Sequence, residues 1–413
     1  MGDPNADYLT KYREFLESLL ETSDLAYPLP VNVYKYKIAE FEITGEIISW
    51  CLQYLNERNC PKGLAAPLCC KVLQEILQIS KEDPDSCGYR PHEDDFQPLK
   101  LMQMTIKKLV EVCVYYSDNA MLSTLLPPPS STLLNPPVSA FAFKNARRKM
   151  EDKYVIINDL HALFNIKDYG TASYYGVFDG HNGVDAAAYS SCHVHQYLVE
   201  SPHYPHDPER ALKDAFKKTD DRFIDKCNKE KNLDSGTTAV CALLRPKENK
   251  LYVAWLGDSQ AYLIADGESH RMGQIHTPDK PEETKRINDM GGAVLYLGTW
   301  RVNGHLAVSR AIGDYTYKPY VISDPDVWVV SLDECNADFL IIASDGLWDV
   351  VTSQVAAKTV YDYITKHKGL GVGESFCLEG VNGVVTNGTQ RKKNTAVEPV
   401  LSLAPTTCLY CRF

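Results

Sequence analysis

In the first third of the chain, apolar residues recur at helical spacing. Phe41, Ile48, Cys51 or Leu52 and Leu55 make one row. Leu68, Val72, Leu73, Ile76 and Leu77 make a second, and Leu99, Met102, Ile106, Leu109 and Cys113 a third. Pro61, Pro67, Pro84, Pro91 and Pro98 separate the rows, as residues without an N–H that break helices. The pattern predicts a helical region over residues 1–126, suited to packing or to docking a protein partner. Pro127-Pro128-Pro129 through Pro136-Pro137 predict a stiff linker at 127–137.

Past the linker the pattern becomes that of strands. Residues 174–178, 239–244, 250–256, 260–265 and 339–343 read as short strands, the middle three joined by turns at 246–249 and 257–259. Helical patterns fall between them at 184–199, 209–228, 281–290 and 353–366. Strand runs with helices inserted predict an α+β layered domain over 138–368. Residues 369–413 show no sustained period and predict a disordered tail. Cys408 and Cys411 are spaced as a CxxC pair there, without the second pair that a metal site needs.

Composition adds exclusions. With 413 residues, 44% hydrophobic and 23% charged, the chain is of ordinary globular make-up. A net charge of -11 gives no electrostatic footprint for nucleic acid. No run approaches the ~20 apolar residues of a membrane span. Met1-Gly2-Asp3-Pro4-Asn5 is not a secretory signal, and Ala6 stands where a myristoylation motif wants Ser or Thr. Thirteen scattered cysteines fit a reducing compartment, so the expected location is the cytoplasm or nucleus.

Three acids stand just after apolar strands: Asp179, Asp258 and Asp345. One Asp in that place is usually a turn former. Three in one domain, with Glu151 and Asp152 behind a basic run, shift the balance toward a site. Strand ends along one edge can gather carboxylates, which repel and take up protons unless cations intervene. Oxygen donors without a His or Cys cluster favour Mg or Mn over Zn. Two such ions sharing a carboxylate can acidify a water and stabilise an in-line phosphoryl displacement. Rival chemistries lack their residues: no cysteine lies in a Gly-rich loop ending in Arg, and no G-x-S-x-G elbow occurs. The residues point to a dinuclear metallohydrolase and do not name its substrate.

Ordered motifs carry the reading further. Arg147-Arg148-Lys149-Met150-Glu151-Asp152, Val177-Phe178-Asp179-Gly180-His181-Asn182-Gly183 and Ser235-Gly236-Thr237-Thr238-Ala239 come first. Leu256-Gly257-Asp258-Ser259, the run from Arg301-Val302-Asn303-Gly304 to Ala311-Ile312-Gly313-Asp314, and Ala343-Ser344-Asp345-Gly346-Leu347-Trp348-Asp349 follow. Together they resemble the metal-dependent Ser/Thr protein phosphatases of type 2C, the PPM family, in order and in spacing. The stretch from Val253 to Gln260, Val194-His195, and Ala311 to Asp314 with Lys318-Pro319-Tyr320 resemble the calmodulin-dependent-kinase phosphatase branch. That branch also carries a helical region ahead of its catalytic domain.

The resemblance implies two packed antiparallel sheets flanked by helices, with metals in the cleft between them. It implies hydrolysis of phosphoserine and phosphothreonine in phosphoproteins, protein kinases among them, with two Mn or Mg ions and a weaker third. Asp179 would bridge two ions and the Gly180 carbonyl would bind one. Glu151 would orient metal-bound water, supported by Asp152. Asp345 would bind the second ion, while Asp258 and Asp349 would help hold the third. Arg147 would grip the substrate phosphate, and His181 would act as general acid. Asp314 would bind metal water or cap a turn, and His193 and His195 read as structural.

Asn182, Gln260 and His305 are small departures from the family pattern. The large one is at the end. Family members close with a core strand that opens on an Asp-Asn pair, whose Asp ligates the second metal. Here no Asp follows Asp362. The domain is therefore expected to be incomplete after 368, and a pseudophosphatase that binds partners but turns over poorly is the rival reading.

Overall fold

The computed structural model describes residues 4–21, 29, 31–34, 36–118, 121–122, 138–230, 233–366 and 406–412. The linker expected at 127–137 lies outside them. The chain divides into two compact units, one of Met1–Asn135 with Ile157–Ser173, the other of Pro136–Ile156 with Tyr174–Phe413. Ile157–Ser173, which the sequence placed in the strand-rich domain, thus belongs to the first unit.

The first unit contains α1 (Pro4–Glu21), α2 (Ile43–Glu57), α3 (Lys62–Glu82) and α4 (Pro98–Tyr116). A short ladder of β1 (Tyr89–Arg90) and β2 (Asp95–Phe96) and the single turn α5 (Leu160–Leu163) complete it. Most of the helical rows bury: Ile48, Cys51, Leu52 and Leu55 on α2, Leu68, Val72 and Ile76 on α3, Met102, Ile106, Leu109 and Cys113 on α4, while Phe41 and Leu99, which open the first and third rows, are exposed. Pro67, expected to separate helices, lies inside α3.

In the second unit, one sheet runs in the order β11 (Glu268–Arg271), β10 (Gln260–Ala265), β16 (Ala337–Ala343), β17 (Thr406–Arg412), β3 (Val138–Phe143). The other runs β15 (Asp326–Ser331), β9 (Lys250–Leu256), β8 (Ala239–Arg245), β5 (Ser173–Phe178), β4 (Lys153–Ile157). Their facing sides share one core: Leu340, Ile342, Leu409 and Cys411 meet Tyr175, Val177, Val240, Ala242, Val253 and Trp255. Alternate residues of the first sheet, Phe339, Ile341, Cys408 and Tyr410, point the other way. They pack on α9 (Asp345–Trp348) and α10 (Ser353–Lys366) through Leu347, Ala356, Ala357 and Val360. This is the α+β arrangement of two packed sheets with flanking helices.

β17 corrects the expected tail. Thr406–Arg412 pairs antiparallel with β16 on one side and β3 on the other, so the sheet has its closing strand. Both faces of β17 are buried, so its apolar residues do not alternate with polar ones, and residues 367–405 separate it from the preceding helix in sequence. The expected absence of a carboxylate stands: β17 opens on Thr406-Thr407. Cys408 and Cys411 face opposite sides of the sheet, so the CxxC spacing makes no ligand pair.

Helices α6 (Asp185–Glu200) and α7 (Pro208–Lys229) pack together through Tyr189 and Phe223, whose rings lie 5.4 Å apart. Asp207 caps α7, its Oδ1 accepting the Arg210 N–H at 3.1 Å. A smaller lobe joins α8 (Pro281–Asp289) to the hairpin β12 (Val294–Tyr296) and β13 (Trp300–Val302) around Ile287, Val302, Val308 and Val321. A third, three-stranded sheet links β14 (Ile312–Gly313), β7 (Gly236–Thr237) and β6 (Gly180–His181). No helix among the described residues is long and apolar enough to cross a membrane.

Candidate active site

Each acid of the sequence argument stands where a buried strand runs out. Asp179 follows β5, and its position is locked by β7. Its carbonyl accepts from Thr238 N and from Thr237 Oγ1, both at 3.0 Å. The next residue must be glycine: a Cβ on Gly180 would lie 2.6 Å from the Glu151 carbonyl oxygen. Asp258 follows Gly257, whose φ of 87° and whose approach to Thr238 also call for glycine. Asp345 opens α9 at the end of β16, and Asp349 closes that turn by donating its N–H to the Asp345 carbonyl at 2.8 Å. Because Ala343 of β16 pairs with Gln260 of β10, Asp345 and Asp258 leave their strands at the same end of the sheet.

The gathered carboxylates disturb one another. Burial pushes the Asp179 carboxyl well above the usual carboxylate range, and Asp152, Asp345 and Asp258 push it further. Burial and then Asp345 raise Asp258 to about 7. Asp152 is raised by burial, an effect partly offset by the neighbouring Thr407, Ser344 and Asp179 side chains. The Ser344 hydroxyl donates to Asp152 Oδ2 at 3.0 Å, while Oδ1 is buried with no hydrogen-bond partner among the described residues. Asp349, more exposed, is raised by burial and by Asp345.

Crowded oxygen donors with an orphaned buried Oδ1 fit hard divalent cations, which remove the repulsion that otherwise protonates them. Among the described residues, no three or more His, Cys, Asp or Glu side chains form a ready-made cage for one ion. The set fits metal held by single carboxylates, a backbone carbonyl and solvent, and it does not fix the number of ions.

His181 meets this cluster from β6. Burial lowers its pKa, but the hydrogen bond to Asp314 and the nearby charges of Asp258 and Glu151 outweigh this and leave it raised. The Asp314 carboxylate lies 2.7 Å from Nε2. Arg147 lies on the exposed loop between β3 and β4, its N–H bound to the Lys144 carbonyl at 3.1 Å, and Glu151 is half-buried beside Gly180. The structure thus gathers Asp152, Asp179, Gly180, His181, Asp258 and Asp345, with Glu151 and Asp349 at the margin. The sequence left the contacts of Asp314, Ser344 and Thr407 unread. Each depends on strand pairing, and only the position of Asp314 after Ile312-Gly313 carried a signal.

A family model described as protein phosphatase 2C matches residues 137–389. Protein phosphatase 1E of Homo sapiens is 41% identical over 349 residues, spanning 83% of this chain and 44% of its own length. Protein phosphatase 1F of Homo sapiens is 36% identical over 378 residues, spanning 87% of this chain and 81% of its own. The chain therefore spans less than half the length of the protein phosphatase 1E sequences it matches. Among solved structures, a C. elegans sex-determining protein superposes with a TM-score of 0.74 at 20% identity, covering 98% of this chain and 94% of that one. Serine-threonine phosphatase 2C from Toxoplasma gondii gives 0.56 at 22% identity, covering 67% and 94%. At these identities the two structures show a shared fold.

Proposed function

The chain belongs to the protein phosphatase 2C family, and on that footing we propose that it hydrolyses phosphoserine and phosphothreonine in proteins, dependent on Mn or Mg. The observation that supports this is Asp179, gathered with Asp152, Asp345 and Asp258, its carboxyl pushed well up by burial and further by their charges. Asp179, the Gly180 carbonyl and Asp345 would hold the principal ions, Glu151 and Asp152 the solvent around them, and Asp258 with Asp349 a weaker third. When bound, the ions supply charge neutralisation and acidify a water.

The chain's own side chains supply the rest. Arg147 binds the phosphate oxygens with its planar fork. His181 holds the proton that goes to the seryl or threonyl oxygen as its bond to phosphorus breaks. Protein kinases are the substrate class carried over from the branch resemblance, the helical unit is the surface for docking a partner, and the cytoplasm or nucleus is the place of action.

A second reading rests on β17. With Thr406-Thr407 where the family pattern has Asp-Asn, metal binding is weakened, and the chain acts chiefly as a binding protein with slow turnover. Phosphate release from a phosphothreonine peptide against Mn concentration separates the two. The phosphatase reading expects turnover that saturates with Mn and vanishes in Asp179→Asn, whose amide lacks the charge to hold two dications. Turnover that survives this substitution removes Asp179 from its role. None at any Mn concentration leaves the binding protein.

A further inference from the structure

His181, the proposed acid, is held by a residue outside the metal-binding set. In the small sheet, Gly236 pairs with His181 on one side and with Gly313 on the other. Asp314 follows Gly313, is 2% exposed, and reaches across Gly236 to place Oδ2 2.7 Å from His181 Nε2. A Cβ on Gly236 would lie 2.2 Å from that Oδ2 and 2.4 Å from that Nε2. Only glycine leaves the space in which carboxylate and imidazole meet.

The Asp314 side of the contact is braced. Gly313 and Asp314 both have left-handed backbone, with φ of 85° and 51°. A non-glycine residue keeps that conformation where its surroundings impose it. Here Asp314 N–H donates to the Ser235 carbonyl at 3.1 Å, and Gly313 N–H donates to Asp220 Oδ1 at 2.8 Å. Asp220 is in turn fixed by Lys318 Nζ, 2.8 Å from Oδ2. A buried acid on α7 thus holds the turn that aims a second acid at the histidine.

We propose that Asp314 is the positioning residue of His181: it accepts the Nε2 proton, fixes the ring plane and leaves Nδ1 to meet the leaving oxygen. The inference rests on the phosphatase reading above. In the step it serves, the oxygen of water bonds to phosphorus as the bond to the seryl or threonyl oxygen breaks. The Nδ1 proton goes to that oxygen. One proton of the water stays on the product phosphate, the other passes to solvent, and solvent reprotonates Nδ1. Asp314 gives up and takes up no proton in this step; it only accepts the Nε2–H bond, as an orienting group should.

Two measurements on the full chain test this. In ¹⁵N-edited NMR of the metal-free protein, an Nε2-bound proton in slow exchange is expected, identified by its loss in His181→Gln. It should vanish in Asp314→Ala and in Gly236→Ala, and persist in Asp314→Asn, whose amide oxygen still accepts. A proton on Nδ1 alone, or one indifferent to these substitutions, overturns the proposal. In Mn-dependent turnover of a phosphothreonine peptide, Asp314→Ala should lower kcat roughly 10- to 100-fold with KM little changed, and less on an aryl phosphate. Asp314→Asn, of nearly equal volume, should recover part of the loss. Combining Asp314→Ala with His181→Ala should cost no more than His181→Ala alone. Losses that multiply give Asp314 an independent role and overturn the proposal. If the wild type releases no phosphate, the phosphatase reading falls, and the NMR result alone decides whether Asp314 holds His181.

Discussion

At the scale of single residues, a strained titration is buried away from the cluster as well as within it. His195 on α6 is 1% exposed, with its ring 5.8 Å from that of Tyr174. Burial, then the neighbouring His193, push its pKa down to about 3. The folded protein thus keeps His195 neutral at a pH where the unfolded chain protonates it. The unfolded state binds more protons between the two pKa values, so stability is complete above the ordinary value of about 6.5 and falls as pH drops toward 3. Between pH 7 and pH 5 this single group should cost roughly 2 kcal/mol. Urea melts of wild type and His195→Gln at the two pH values check it. An equal acid loss in both proteins would show that His195 is not the source. The sequence placed acids at strand ends and did not pair them. Asp179, Asp258 and Asp345 were legible because each stands at or within two residues of the end of an apolar run. The Asp314–His181 contact was not, because it exists only once β14, β7 and β6 are laid side by side with a glycine in the middle.

Elements were legible wherever one period held for a full strand or helix. The helix predicted at 353–366 is α10, and the strands at 250–256 and 260–265 are β9 and β10. β17 escaped because both its faces are covered, which removes the alternation that marks a half-buried strand. Its place between β16 and β3 makes it structural for two neighbours at once. Tyr410 is 1% exposed, and its ring lies 5.2 Å from that of Phe339. Tyr410→Ala should therefore destabilise the chain by roughly 3–5 kcal/mol, the usual range for emptying a buried aromatic site. Trp328→Ala on the edge strand β15, where the residue is 48% exposed, should change it by less than about 1 kcal/mol. Thermal and urea unfolding of the two variants decides the matter. Equal melting of wild type and Tyr410→Ala would mean that Thr406–Arg412 is not part of the sheet.

At the scale of the whole molecule, the order of the motifs disclosed a family, while the division into units needed the structure. The composition shift near residue 127 suggested a cut between a helical module and a catalytic domain. The segment Ile157–Ser173 refuses that cut: it follows β4 in the chain yet belongs to the compact helical unit. Within that unit α5 packs on α3, and Leu160 and Leu163 have no exposed surface. Leucine burial is worth roughly 1.5–3 kcal/mol per side chain. A chain lacking residues 1–135 should therefore expose both leucines, express with a lower soluble yield and melt several degrees below the full chain. If the uncovered leucines are the cause, Leu160→Gln with Leu163→Gln should restore soluble yield to the shortened chain. In the full chain the same pair should destabilise, because it places polar groups in the core of the helical unit. Opposite signs in the two backgrounds are the expected result, read by soluble yield and by melting. A shortened chain that is already soluble, and that gains nothing from the two glutamines, would show that the cut near 127 separates independent domains after all.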